Sequence, residues 1–499
     1  MSKLTRREFC GAVPLPLLAQ SRKSARPNII IFYVDELRAT ALKLYHPDGM
    51  ETPNLARLAS RSVQFNYAFT PHPLCLPARA SLWTGQYPHT HGTRCNITRE
   101  VTPALLRDGH ETMVEVLHRA GYRTGIFGKN HCFTPAQLER WFDVDYSYPS
   151  NDPSVPGGLN KGLSAADMAL VQKNRDWIKR QAGRFEVAPF PPEIFETHLA
   201  NQRGMEFIER EAAKPFAAWI SILAPHAPME VPKEYAGVMP PKQAKLPPLR
   251  DGEIKSKNTR MQIYDYVMRG SEQPESYFRQ FLSIYDDMVG FIDHELGRLM
   301  ALLEQKGLIE NTIVLFTADH GDFAGEHHQI YKCGSMVDAM VRIPFLISWP
   351  GRLQEGRRED ALVNQVDIMP TLLDFCGLDV PKGVEGQRLP FRPGDARRSF
   401  VYSEYGAGEA EYTWEDARKT PWKNAGKSPN FKDTPLWQQL TRERSGHLRM
   451  IRTASHKFIR DSNGEIEFYD LAKDPNELDN AHGRPEYRSI EQELDGKLA

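Results

Sequence analysis

Two uninterrupted apolar runs dominate the hydrophobic pattern: Asn28-Ile29-Ile30-Ile31-Phe32-Tyr33-Val34 and Thr312-Ile313-Val314-Leu315-Phe316-Thr317-Ala318. Both are rich in β-branched and aromatic side chains and apolar on both faces, which predicts central strands of a parallel sheet covered by helices. Each stops abruptly on polar residues, Asp35-Glu36 in the first case and Asp319-His320-Gly321-Asp322 in the second. In open α/β sheets the loops beyond the carboxyl ends of strands carry polar groups over an apolar layer, so both ends are candidate positions for chemistry. A third buried-strand pattern, 216–223, leads into Pro225-His226-Ala227-Pro228. Helical periodicity fills the spaces between: 111–120 predicts an amphipathic helix stopped by Gly121, and 122–128 a turn with a short strand. Val289, Ile292, Leu296, Leu299 and Leu303 predict a second helix over 285–306, ended by Gly307. The repeated order predicts an α/β fold with a large, doubly wound, mostly parallel central sheet flanked by helices. The proline-rich stretch 225–248 excludes a regular helix or central strand and predicts an excursion near the cleft rim.

The pattern changes after about residue 385, where 447–451, 457–459 and 466–469 read as short antiparallel strands. The last two join through Asp461-Ser462-Asn463-Gly464, and 486–498 can form a helix. A smaller C-terminal α+β domain on a short antiparallel sheet follows. The expected organisation is an export signal at 1–26, an α/β domain at 27–385 and a C-terminal subdomain at 386–499. Within the last, 404–440 is turn-rich and aromatic, with Tyr405, Tyr412, Trp414, Trp422, Phe431 and Trp437. Two interpretations stand: local core for a small domain, or an aromatic wall that recognises an organic substrate.

At 499 residues the chain predicts two or three domains, and 40% hydrophobic with 25% charged residues excludes collagen-like, disordered and mostly coiled-coil classes. Lys and Arg, 63 together, nearly cancel 64 Asp and Glu, and no basic tract or zinc-finger spacing appears, so no nucleic-acid partner is expected. Local charge clusters still permit an anionic substrate. Six cysteines, at 10, 75, 95, 132, 333 and 376, are too sparse for a disulfide scaffold and lack zinc-site spacing. Cys95, Cys132 and Cys333 adjoin candidate site residues and suggest tight packing behind them. The start, Thr5-Arg6-Arg7-Glu8-Phe9-Cys10 followed by a short apolar stretch with Pro14 and Pro16, resembles a twin-arginine export signal. It implies a periplasmic or secreted protein, with the cytoplasm as the alternative. No later segment has the roughly 18 consecutive apolar residues a membrane span requires.

Chemistry concentrates around Cys75-Leu76-Pro77-Ala78-Arg79, which runs into Ala80-Ser81-Leu82-Trp83-Thr84-Gly85. Alone, such a cysteine is either a buried apolar side chain or an activated thiolate. Other polar clusters are Asp35-Glu36, Gly128-Lys129-Asn130-His131, His226, Asp319-His320 and Lys332. Singly, each reads as a turn, a cap or a solvated side chain. Together with Phe468-Tyr469-Asp470-Leu471 and Asp474-Pro475, they resemble the formylglycine-dependent sulfatases of the alkaline phosphatase-like superfamily from residue 28 through residue 469.

That resemblance implies a maturation enzyme that oxidises Cys75 to formylglycine, whose hydrate attacks sulfur and whose second hydroxyl later expels sulfate. It implies that Asp35, Glu36, position 75, Asp319 and His320 hold one divalent metal, calcium expected and manganese the alternative. Arg79, Lys129 and Lys332 would neutralise the oxyanion and hold the hydrate, His131 would orient the diol, and His226 would protonate the departing oxygen. Asn96, Lys129, His226 and Lys332 would contact substrate. Two departures stand out: the family commonly pairs Asp with Asp or an amide where this chain has Asp35-Glu36, and some relatives carry Asn where His320 stands. The implied reaction is hydrolysis of an organic sulfate ester, a carbohydrate sulfate ahead of an aryl sulfate. Competing readings are a phosphonate monoester or phosphodiester hydrolase, and a non-catalytic protein that binds sulfated glycans. The sequence sets no oligomeric state.

Overall fold

A computed structural model describes residues 26–96, 106–148, 158–180, 185–418 and 443–498. The export tract up to residue 25 and Trp422, Phe431 and Trp437 lie outside the described residues. In chain order the strands are β1 (Asn28–Asp35), β2 (Ser62–Phe69), β3 (Arg123–Lys129), β4 (Val144–Tyr148), β5 (Glu186–Ala188), β6 (Phe216–Pro225), β7 (Glu230–Pro232) and β8 (Thr312–Ala318). They continue with β9 (Arg342–Ile343), β10 (Phe345–Ser348), β11 (Arg357–Asn364), β12 (Val401–Tyr405), β13 (Leu448–Arg452), β14 (His456–Arg460) and β15 (Ile466–Asp470).

The central sheet runs β11-β2-β10-β8-β1-β6-β3-β4, with β9 beside β2. β1 is parallel to β6 and β8, and β3 to β6 and β4, while β10 runs antiparallel between β8 and β2. Every residue of β1 and β8 is buried, as expected for strands enclosed on both faces. Alternation along β6 shows how both faces are covered. Trp219 meets Trp83 of the helix Cys75–Thr84 at 4.9 Å between ring centroids. Phe216 packs on Phe207 of the helix Glu196–Glu211, on the opposite face, where Gly204 lies close against Ile220.

The helix expected at 285–306 is longer, Glu275–Gln305, because Phe278, Phe281 and Leu282 continue its buried stripe. Asp287 interrupts that stripe in sequence yet is satisfied within the fold: its carboxylate accepts from Gly237 N (2.7 Å) and Met239 N (2.9 Å). It thereby ties down the proline-rich excursion, which contains the three-residue β7, paired to β5 outside the central sheet, and a single 3-10 turn at Lys233–Tyr235.

The C-terminal sheet has four antiparallel strands, β12-β13-β14-β15, rather than the three expected. The additional strand, β12, overlaps the start of the aromatic tract and carries Glu404 and Tyr405. One set of its sheet's side chains, including Tyr405, Met450 and Tyr469, joins the main core. The other, Ile451, Phe458 and Phe468, packs with Leu494 and Leu498 of the helix Arg488–Leu498. Tyr405 and Tyr412 are buried, which fits the local-core interpretation of their part of the tract.

Glu404 also clamps the two regions together, accepting from His89 N (2.6 Å), His89 Nδ1 (2.9 Å) and His447 Nε2 (2.7 Å). Hydrogen bonds donated to Glu385 and then Glu404 push His89 up to about 9 from its ordinary 6.5. A histidine whose folded-state pKa is raised stabilises fully below its unfolded value and loses that contribution as pH rises through the folded one. Stability measured by denaturant titration is therefore expected to fall between pH 6.5 and about 9, and His89→Gln to flatten that part of the profile.

Candidate active site

Parallel register brings the polar strand ends together. Val34 pairs with Ala318 and with Ile222, so Asp35, Asp319 and the segment reaching His226 emerge side by side from β1, β8 and β6. β3, the next strand beyond β6, ends on Lys129. The site thus lies at the carboxyl ends of four adjacent strands.

At its centre is Arg79, fully buried in the helix Cys75–Thr84. Its Nε donates to Asp319 Oδ2 (3.1 Å), one terminal nitrogen to Lys129 O (3.1 Å) and Ser221 Oγ (2.7 Å), and the other to Asp35 Oδ2 (2.7 Å). That second nitrogen also lies 3.0 Å from Asp319 Oδ2. Tyr33 and Trp219 place their rings 5.0 and 5.7 Å from the guanidinium carbon. Arg79 is therefore committed to protein partners and holds the two carboxylates in place, where the sequence suggested that it neutralises the oxyanion and holds the hydrate.

Cys75 starts the same helix and is fully buried. Its Sγ lies 3.2 Å from His320 Nε2, 3.3 Å from Lys332 Nζ, 3.5 Å from Asp35 Oδ1 and 3.9 Å from Asn96 Nδ2. Asn96 Oδ1 accepts from Leu76 N (3.0 Å) and so satisfies a first-turn donor beside the sulfur. Burial opposes ionisation of the thiol, but Lys129, Lys332 and His320 hold it well below its ordinary range. The position favours a negative charge, as an activated nucleophile requires.

Lys129 Nζ donates to Asp35 Oδ2, and Lys332 Nζ to Glu36 Oε2 at 2.8 Å. Burial and the Cys75 sulfur work against ionisation of Asp35, yet Lys129, His226 and Arg79 keep it well below the usual carboxylate range. His131 has φ 52°, an unusual conformation for a side-chain-bearing residue. Asn130 braces it by accepting from Cys132 N (3.2 Å) and Phe133 N (2.8 Å) and donating to Phe133 O (2.7 Å). Burial drives His131 down to about 4, leaving a neutral ring beside Cys75. His226 Nε2 stands 3.4 Å from Glu36 Oε2, and its Nδ1 2.6 Å from Ala227 O.

Asp35, Cys75, Asp319 and His320 each offer a ligand atom, all within 4.8 Å of one another; Glu36 instead groups with Asp35 and His226. The donor set suits a cation. Burial and Asp35 push Asp319 up, a sign of crowded negative charge. His320 Nδ1 lies 2.8 Å from Gly321 O, a contact that turns Nε2 toward Cys75, and Glu36 Oε1 is buried without a hydrogen bond.

All sequence-selected residues face the group around Cys75 or belong to its immediate ion pairs, Arg79 through Asp35 and Asp319. Three contributors were not selected as site residues. Ser221 holds Arg79, and its signal is a lone hydroxyl within an apolar strand. Tyr285 donates to Glu36 O (2.8 Å) and accepts from Arg38 N (3.2 Å), bracing the turn where Glu36 has φ 65°. Asp322, from the acidic strand end, faces Glu36 and is pushed well up by burial and then by that neighbour. The five described cysteines, Cys75, Cys95, Cys132, Cys333 and Cys376, are buried, and none of them forms a disulfide with another described residue.

A family model described as Sulfatase matches residues 27–378. An arylsulfatase of Clostridium perfringens is 27% identical over 484 residues, covering 93% of this chain and 92% of its own length. An N-acetylglucosamine-6-O-sulfatase of Bacteroides thetaiotaomicron is 25% identical over 530 residues, covering 95% and 86%. Among solved structures, a phosphonate monoester hydrolase from Silicibacter pomeroyi superposes with TM-score 0.75 at 22% identity, covering 95% of this chain and 94% of its own, a likeness of fold.

Arg79→Met leaves Asp35 and Asp319 buried without their shared cation. It is expected to destabilise the protein by roughly 3–5 kcal/mol in urea titration, the usual consequence of breaking a buried charge cluster from one side. An unchanged midpoint and slope would contradict the bracing role.

Proposed function

The chain belongs to the sulfatase family and is a sulfuric ester hydrolase, and from that premise we propose that it releases inorganic sulfate from a sulfated carbohydrate. The observation that carries the reading is the setting of Cys75: buried at a helix start and within 3.5 Å of His320, Lys332 and Asp35. The family implies a divalent metal and formylglycine at this position. Once present, formylglycine supplies a hydrated aldehyde as nucleophile, and the metal supplies positive charge against the sulfate oxygens. Asp35, Asp319 and His320 would hold that metal, with Glu36 as a further candidate ligand. Calcium is the proposed ion and manganese the alternative, because His320 contributes nitrogen to an otherwise oxygen-rich set.

The remaining roles follow from charge and protonation. Lys129 and Lys332 offset the negative charge of the sulfate and keep the residue 75 hydroxyl ionisable. Asn96 Nδ2 offers an amide donor beside them. His131, neutral through burial, can accept a proton at position 75. His226, with Nδ1 turned to Ala227 O, can deliver a proton from Nε2 to the departing oxygen. Arg79 keeps Asp35 and Asp319 in register and touches no reacting atom.

The carbohydrate preference draws support from the relative named for N-acetylglucosamine-6-O-sulfate. Export to the periplasm or beyond rests on the arginine-pair motif, and no helix among the described residues is long and apolar enough to cross a membrane. A phosphonate hydrolase remains the rival, given the likeness in fold. Lys129 and His131 speak for sulfate, since hydroxyl-bearing side chains are expected there in that alternative.

Matured enzyme is expected to cleave 4-nitrophenyl sulfate at least about tenfold more efficiently than 4-nitrophenyl phenylphosphonate, an advantage near 1.4 kcal/mol. A large phosphonate preference in kcat/KM would overturn the sulfate assignment. Elemental analysis of protein purified without chelator is expected to find calcium near one per chain; stoichiometric manganese without calcium would reverse the metal assignment.

A further inference from the structure

Lys332 reaches Cys75 Sγ and Glu36 Oε2 from an irregular segment between the 3-10 turn Glu326–His328 and the helix Asp338–Val341. Its upstream flank is tied to the loop after β8: Tyr331 N donates to Asp322 Oδ1 (3.1 Å), and Tyr331 O accepts from Phe323 N (3.0 Å). Tyr331 has φ 62°, a conformation that a side-chain-bearing residue keeps only where its surroundings impose it. A lysine also carries much rotamer freedom, so the placement of its ammonium depends on how firmly both flanks are held.

The downstream flank is held by the C-terminal sheet. Gly334 lies against Tyr405 of β12, where an added Cβ would stand 2.7 Å from the ring. Its φ is outside the left-handed region, so this glycine serves close approach rather than a turn. Two residues on, Met336 O accepts from Lys457 Nζ of β14 at 2.8 Å. The same ammonium lies 2.7 Å from Asp338 Oδ1 and 2.6 Å from Glu477 Oε1. Lys457 is fully buried. Asp338 N donates to Glu477 Oε2, and Arg452 of β13 stands 3.3 Å from Asp338 Oδ2. The Arg452 guanidinium in turn lies over Tyr67 and Phe69 of β2, which joins the C-terminal sheet to the central one at this point.

A buried ammonium among carboxylates is a costly way to join two layers, since apolar side chains would bury as well without the desolvation penalty. What it adds is direction: a backbone oxygen at 336 and carboxylates at 338 and 477 converge on one point. Without Lys457, Met336 O loses its donor, and Asp338 and Glu477 face each other with no cation between them. We propose that Lys457 is a positioning residue for the reaction: from β14 it fixes the segment 333–338, and through that segment it holds the Lys332 ammonium against position 75 and the sulfate. The inference rests on the sulfatase reading and gives the C-terminal sheet a part in it.

The test is a double-mutant cycle in the matured full chain, combining Lys457→Met with Lys332→Gln and normalising to formylglycine content. Two quantities are read: kcat/KM on 4-nitrophenyl sulfate, and the affinity for inorganic sulfate by calorimetry, which needs no turnover. Lys457→Met alone is expected to lower kcat/KM about tenfold or more, within the range that a misplacement of about 1 Å produces, and to weaken sulfate binding. In the Lys332→Gln background both losses should shrink below about twofold, because the group being positioned is already gone. A general loss of folded protein would instead multiply both backgrounds by the same factor. Gly334→Ala, which pushes the segment off Tyr405 without touching a charge, decides by the same criterion if Lys457→Met does not accumulate as folded protein. Equal losses in the two backgrounds, or unchanged turnover and sulfate affinity, would overturn the inference. Either result with an active wild-type enzyme defeats this inference alone, whereas matured wild-type protein that releases no sulfate defeats the sulfatase reading beneath it.

Discussion

One buried guanidinium organises this molecule. Arg79 joins carboxylates from β1 and β8, a hydroxyl from β6 and the terminal carbonyl of β3, while aromatic rings from β1 and β6 enclose it. Each strand presents its polar end at the position that the hub requires, so sheet register and site geometry are one constraint. The same helix begins at Cys75, just over one turn before Arg79, which fixes the sulfur above the carboxylates that Arg79 grips. Burial makes the arrangement expensive to disturb, because any lost partner leaves an unpaired charge in the interior.

Much of this was legible in the sequence, and the reason is local. β1 and β8 are continuous apolar runs that end on acids, a pattern that states both the strand and its functional end. The string around Cys75 likewise carries its chemistry in adjacent residues. What stayed hidden depends on contacts between distant segments. β12 is a strand because β13 pairs with it, although Glu404 and Tyr405 lie in a stretch that reads as turns. The long helix reads as starting at residue 285 because its clear apolar repeat begins at Val289, whereas the first turns are held by Phe278, Phe281 and Leu282, whose burial depends on the folded partners around them. Arg79 was found as a site residue, but sequence does not reveal that its donors meet Asp35, Asp319, Ser221 and the Lys129 carbonyl.

The near-neutral chain therefore conceals strong local polarity. Acids, lysines and histidines converge around one sulfur, where they favour negative charge on position 75 and crowd enough carboxylate to attract a cation. The fold supplies rigidity for this group through Arg79, which holds Asp35 and Asp319 from one helix.

The central claim is that position 75 works as an oxidised residue in a site built for it. Mass spectrometry of the peptide spanning residue 75, in protein taken from its native host and shown to release sulfate, tests this most directly. The account predicts formylglycine or its hydrate in place of the thiol. An intact cysteine at position 75 in a preparation that hydrolyses sulfate esters would contradict it.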